Sequence, residues 1–206
     1  MIRIARIFPL VLGMAGVLVT AAVLSAGDST APSTAPATQP VPAFAFAAMN
    51  YYDQSCARCH GPEGASYGPG LGHTLDDAGL VKMCHDMANG PSQNPINGRD
   101  LDTETAFHRA LIMGNPYLSV TNIKGNVWSG EVMVDAKVTL HVGSKEISAD
   151  VTDWNWTATL PDGAAPASVT IIAADTDDDK TTTLHPAQSM YSNAEPIPPP
   201  DIRNHK

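Results

Sequence analysis

The hydrophobic residues of this 206-residue chain change their spacing at about residue 118, and this change limits the folds that the chain can adopt. Before it, apolar residues recur three and four positions apart, as between Phe44 and Tyr52. That spacing is typical of helices. After it, apolar and polar residues alternate, as in Val138, Leu140 and Val142, which is typical of strands. We therefore expect a helical part followed by a β part.

The helical part is predicted to contain three helices. The first runs from about residue 43 to Cys56. The second begins near Thr74 and ends at Asn89, before a Gly-Pro pair, and the third begins at Asp102 or Thr103 and ends at Met113. In the β part, short strands are predicted around residues 132–134, 138–142, 147–151, 154–160 and 169–173.

The chain begins with a segment that predicts export. Residues 1–27 hold two arginines, then eighteen mostly apolar residues from Ile7 to Leu24, then small residues. A cleaved signal peptide and a retained membrane anchor both fit this pattern. Residues 28–42 are rich in Pro, Ser, Thr and Ala and predict a disordered tether, and residues 191–206 predict a loose Pro-rich tail.

A five-residue motif, Cys56-Ala57-Arg58-Cys59-His60, carries the clearest chemistry in the chain. Two thiols three positions apart on one helical turn can both form thioethers with the vinyl groups of a haem, and the following histidine then faces the iron. A zinc site would need further paired Cys or His residues, and a redox Cys-x-x-Cys would need a βαβ setting. The motif therefore predicts one covalent haem c, with His60 as the proximal iron ligand.

Residues 43–118 resemble a class I, monohaem cytochrome c. The resemblance lies in the sequence CARCHGPEG and in the helices on either side of it. It implies a small all-α cytochrome c fold around the haem. The macrocycle would supply much of the core of so short a domain, so the haem-free domain is expected to be unstable.

The second iron ligand is where the sequence departs from that family, because the loop of residues 90–101 contains no Met or His. Met87 is the preferred candidate because it ends a helix just before the Gly-Pro turn. The alternatives are the thioethers of Met83 and Met113, the imidazoles of His73, His85 and His108, and an open iron position.

Other residues of this part carry lesser predictions. Arg58 and Arg99 are candidates to neutralise haem propionates, and Tyr67 and Tyr117 are candidates to donate hydrogen bonds. Solvated arginines and packed tyrosines are the alternatives. Cys84 is predicted to be a small buried residue.

The β part, residues 119–190, resembles a bacterial immunoglobulin-like module, with Trp156 packed between two sheets. The predicted fold class is therefore multidomain: an all-α cytochrome c fold joined to an all-β immunoglobulin-like sandwich. The aspartates between Asp175 and Asp179 could supply oxygens for Ca²⁺. A solvated acidic turn is the favoured interpretation.

The composition bears on partners. The chain has 21 acidic residues, 12 Lys and Arg and a net charge of −9, which excludes nucleic acid as a partner because nothing offsets the phosphate charge. Residues 43–118 carry eight acidic residues and four Lys and Arg, so a redox partner with a basic docking surface is expected.

These features predict a non-enzymatic electron carrier, in the periplasm or on the outer side of the membrane, that the β part docks or positions. The first alternative is a haem-based sensor or a peroxidase-like enzyme with an open sixth iron position. The second is a structural or adhesive surface protein with an accessory haem.

Overall fold

The structure is a computed structural model that describes residues 43–65, 67, 75–133, 135–177 and 179–193. The predicted export segment, the tether and residues 194–206 of the tail lie outside the described residues. In the ranges that are described, no helix is both long and apolar enough to cross a membrane.

Four α-helices are present in the described residues: α1 (Ala48–Ser55), α2 (Ala57–His60), α3 (Asp77–Asn89) and α4 (Gly98–Met113). The side chain of Asp76 accepts a hydrogen bond from the backbone N–H of Gly79 at 2.8 Å and so caps the first turn of α3. Gly114 adopts a left-handed conformation, with φ of 61°, and ends α4. The last helix begins four residues before Asp102, one of its two predicted starts, so it is longer than the sequence suggested.

Eight strands form two antiparallel four-stranded sheets. The first sheet has the order β1 (Leu118–Lys124), β2 (Val127–Val132), β6 (Asn155–Thr159), β5 (Asp150–Thr152), and the second has the order β4 (Lys145–Ser148), β3 (Ala136–Val142), β7 (Val169–Asp175), β8 (Thr181–Leu184). The periodicity did not predict β1 or β8.

The two sheets share one buried core. Trp128 and Trp156 of the first sheet and Leu140 and Ile171 of the second are completely buried in it. The Trp156 indole N–H donates to the carbonyl oxygen of Ser119 at 3.0 Å. The backbone of β2 passes so close to this pair that a Cβ at residue 130 would lie 1.7 Å from the same oxygen, which explains the glycine there.

The predicted fold class is wrong. The helices do not form a separate all-α cytochrome c fold; four helices and two antiparallel sheets form one mixed α/β structure, and all described residues belong to one compact unit. The backbone N–H of Ala45 donates to the carbonyl oxygen of Val120 in β1 at 3.0 Å. Met133, Trp154 and Tyr191 pack against the buried residues of α1 and α4.

The physical reason for this integration is the first helix. α1 has eight residues, and its N-cap residue, Ala47, supplies no side-chain hydrogen bond. Instead, the buried carboxylate of Glu131 in β2 accepts from the backbone N–H groups of Met49 at 3.1 Å and Asn50 at 2.9 Å. An isolated helix of this length is marginal in water. The sheet therefore supplies the cap that α1 lacks.

Replacing Glu131 should show how much this cap stabilises the chain. Glu131→Ala leaves the backbone N–H groups of buried Met49 and of Asn50 without acceptors, so we expect the free energy of unfolding to fall by about 2–3 kcal/mol in urea denaturation. The matched control is Glu146→Ala, on the exposed part of β4, which should change it by less than about 0.5 kcal/mol. Equal effects at the two positions would contradict a capping role for Glu131.

Candidate functional site

An open cleft of about 770 Å³, measured out to its mouth, lies between the α1–α2 segment, α3 and α4. Its walls are largely apolar, and its polar atoms come from a few side chains.

The motif residues Cys56, Cys59 and His60 all line this cleft. Cys56 follows the last residue of α1, and its carbonyl oxygen accepts from the backbone N–H groups of Cys59 and His60, both at 3.0 Å. Cys56 and the single turn of α2 that follows it thus bring both thiols to the same cleft. Gly61, with φ of 74°, then ends the turn and directs the chain away.

The two motif thiols differ in exposure. Cys56 is half-buried and Cys59 is exposed, and both are free. Burial is the main influence that raises the pKa of the Cys56 thiol to about 11. Cys56 is therefore a neutral thiol at physiological pH.

A hydrogen-bonded pair, Tyr67 and His108, lines the same cleft. The Tyr67 hydroxyl is 2.7 Å from Nε2 of His108, and Nδ1 of His108 is 3.0 Å from the backbone carbonyl oxygen of Glu104. A carbonyl oxygen can only accept, so Nδ1 carries the proton and Nε2 accepts from the tyrosine. Burial, more than any other influence, lowers the pKa of His108 to about 4. His108 is therefore neutral, and both of its ring nitrogens have protein partners.

Glu104 contributes a buried carboxyl group to the same wall. It is 2 % exposed, and neither side-chain oxygen has a hydrogen-bond partner. Oε1 is 3.5 Å from Nδ1 of His108, which is too far for a good hydrogen bond. Burial, and then the nearby charge of Glu131, raises the pKa of Glu104 well above its ordinary value. Because burial favours the uncharged form of both side chains, we do not regard this contact as an ion pair.

The candidates for a second iron ligand fall into two groups. Met83 and Met87, one turn apart on α3, line the cleft, and His108 lines it from α4. Met113 is 39 % exposed at the end of α4, and His85 is exposed beside Asp86 on α3; neither lines the cleft. His73 lies outside the described residues. Met87 and His60 thus line one cleft. Nε2 of His108 is instead hydrogen-bonded to the hydroxyl of Tyr67.

The other residues that the sequence singled out are dispersed. Arg58 lines the cleft and is exposed, whereas Arg99 is exposed outside it. Tyr117 is buried where α4 meets the sheets. Cys84 is buried and lines the cleft from α3, and burial is the main influence that raises the pKa of its thiol to about 12.

In the described part of the chain, no three His, Cys, Asp or Glu side chains are grouped so that they could hold a metal ion. That part includes Asp175, Asp177 and Asp179 of the acidic turn, where the backbone N–H of Asp177 donates to the Asp175 carboxylate at 2.7 Å. The fourth aspartate, Asp178, lies outside it.

Sequence reasoning missed Glu104 and the pairing of Tyr67 with His108. The sequence did contain one signal for Glu104 and His108. Glu104 and His108 are four positions apart, on a helix in which every residue from Thr103 to Ala110 is buried. A glutamate and a histidine at that spacing on a buried helix face indicate a polar contact inside the protein.

Comparisons of the chain with protein-family models, with curated proteins and with solved structures find no match. Its function therefore has to be inferred from the residues of the cleft.

The raised pKa of Glu104 has a consequence for stability. The unfolded chain loses this proton near pH 4.5, whereas the folded chain keeps it to higher pH. The contribution of Glu104 to the free energy of unfolding is therefore largest below about pH 4.5 and falls as the pH rises through the raised value. Glu104→Gln carries no titrating proton, so its stability relative to the wild type should increase between pH 5 and pH 8.

Urea denaturation of both proteins at several pH values measures this difference. Glu146→Gln, at an exposed position of β4, is the control and should follow the wild type. Parallel curves for the wild type and Glu104→Gln would show that burial does not raise the pKa of Glu104.

Proposed function

We propose that the cleft holds one covalently attached haem c and that the protein carries single electrons outside the cytoplasm. The observation that carries this proposal is that Cys56, Cys59 and His60 all line one largely apolar cleft. Of the described cavities, this is the one that combines two closely spaced thiols with an adjacent imidazole.

The chemistry of the lining residues fits a haem. The macrocycle brings four nitrogen ligands of its own, so one protein imidazole and one further ligand complete the iron's coordination. Met83 and Met87 offer polarisable, adaptable surface against an aromatic ring system. When bound, the haem supplies an iron that gains and loses one electron.

Four of the lining residues then have a definite role. Cys56 and Cys59 hold the haem through thioether bonds, so that it is not lost when the protein is dilute. His60 would be the proximal iron ligand, and Met87 would supply the second one. Cys59 is exposed and Cys56 is half-buried, so one thioether would lie nearer the protein surface than the other.

The proposed location and partner depend on sequence features. Residues 1–27 would direct export, which covalent haem attachment requires, and residues 28–42 would act as a tether. The acidic balance of residues 43–118 would favour a partner with a basic surface. Electron-transfer rates with such a partner should fall as the salt concentration rises.

One observation favours the rival function of a small-molecule sensor or peroxidase-like enzyme. Glu104 presents a buried carboxyl group to the cleft without a hydrogen-bond partner, and proton-transferring enzymes use such groups. This rival needs an open iron position, whereas the electron carrier needs Met87 bound there.

Two substitutions test the mode of attachment. Cys59→Ser should leave the haem bound through a single thioether, which moves the absorption band of the reduced pyridine complex because one vinyl group stays conjugated with the ring. Cys84→Ser is the matched control, since this thiol lines the same cleft outside the motif; its band should equal that of the wild type. A wild-type protein without covalent haem after export would contradict the proposal.

Two further substitutions identify the distal ligand. The ferric wild type should show the charge-transfer band of a methionine-bound haem, and the reduced protein should resist CO. Met87→Ala should lose the band and bind CO rapidly, whereas Met83→Ala, one turn earlier in the same wall, should keep the wild-type behaviour. If the band persists in Met87→Ala, the assignment is wrong. If CO binds rapidly to the wild type, the rival function is favoured.

A further inference from the structure

The proximal histidine of the proposed site has little to fix its ring. His60 is the last residue of α2 and is half-buried. Within the described residues, no hydrogen bond reaches its imidazole, and the aromatic ring packed against it is that of Tyr67, with centroids 4.7 Å apart and planes inclined by 40°. The orientation of the His60 ring therefore depends on what holds Tyr67.

Tyr67 is itself held at its far end. Its hydroxyl donates to Nε2 of His108 at 2.7 Å, and its ring meets that of Tyr52 edge to face, with centroids 6.2 Å apart. The hydrogen bond fixes the phenol along its long axis, and the contact with Tyr52 restricts its rotation. The ring of Tyr67 is thus held in one position beside the His60 imidazole.

His108 anchors this arrangement to the longest helix of the described residues. Its Nδ1–H donates to the backbone carbonyl oxygen of Glu104 at 3.0 Å, and its ring packs against Tyr52 and Phe107 with centroids 5.6 Å and 5.5 Å away. The imidazole is 5 % exposed. Nε2 consequently faces Tyr67 in one fixed direction, as an acceptor.

We infer that Tyr67 and His108 are positioning residues for His60: they set the plane of the proximal imidazole from α4, through one hydrogen bond and one ring contact. This inference rests on the proposed function, since His60 needs a fixed plane only as an iron ligand. Groups outside the coordination sphere commonly orient ligating histidines by accepting from their second nitrogen. Here a ring contact with Tyr67, instead of a hydrogen bond to the second nitrogen, orients the His60 imidazole.

The experiment compares four variants of the haem-loaded, full-length protein. Tyr67→Phe keeps the ring and removes the donor, and His108→Leu removes the acceptor. His108→Gln retains an acceptor for the tyrosine, and His85→Gln changes an exposed histidine outside the cleft. The readout is the pattern of hyperfine-shifted haem methyl resonances in the ¹H NMR spectrum of the ferric protein, because the plane of the axial imidazole sets how unpaired spin spreads over the macrocycle.

We expect Tyr67→Phe and His108→Leu to change the methyl pattern in the same sense. The double variant should change it no further, because both substitutions break one connection. His108→Gln should move the pattern back towards that of the wild type, and His85→Gln should leave it unchanged. The haem content, from the pyridine complex, should be equal in all of them.

Different failures have different meanings. If the wild type holds no haem, the proposed function fails and the inference fails with it. If haem is present but the methyl pattern stays constant while only thermal stability falls, Tyr67 and His108 are packing residues and the inference alone is overturned. Loss of the six-coordinate spectrum in His108→Leu would make His108 an iron ligand, which also overturns it.

Discussion

The carboxylate of Glu131 connects the two halves of this protein, and the cleft depends on that connection. It lies in β2, is buried, and accepts two backbone hydrogen bonds from the first turn of α1. A negative or strongly accepting group at that end of a helix is favourable, although burial raises the pKa of Glu131 by more than these hydrogen bonds lower it. Because α1 leads directly into Cys56, a strand of the sandwich fixes the helix that begins the proposed haem site.

This dependence explains why the fold could be predicted only in pieces. The helical spacing around Tyr51 and Tyr52 and the alternation of β3 and β7 are local patterns, and both are visible in the sequence. The use of Glu131 as a cap for a helix 82 residues earlier is not local. In the sequence, Glu131 is visible only as a charged residue within a short strand. A resemblance confined to residues 43–118 therefore suggested a self-contained domain that the structure does not have.

The strands that were missed have a similar cause. β8 reads TTTL and β1 reads LSVTNIK, so neither has the regular alternation of apolar residues that marks β3. β1 also contains an irregularity between Val120 and Asn122, which interrupts its register with β2. β1 is set by its pairing with β2 and β8 by its pairing with β7, more than by their own residues.

The residues of the candidate site differ in the same way: some could be predicted from local sequence, and others could not. Cys56, Cys59 and His60 are consecutive or nearly so, so the sequence alone indicates that they belong to one site, and all three line the cleft. Tyr67 and His108 are 41 residues apart, and only the tertiary structure brings them together. Glu104 depends on that packing too, because its burial arises from the helix face it occupies.

The intact mass of the exported, mature chain is the decisive measurement. If the cleft holds haem c, the denatured protein is heavier than its polypeptide by one haem, and digestion places the added mass on the peptide that contains Cys56 and Cys59. An unmodified mass, with both thiols still reactive, in a host that attaches haem to another c-type protein would contradict a haem function for this cleft.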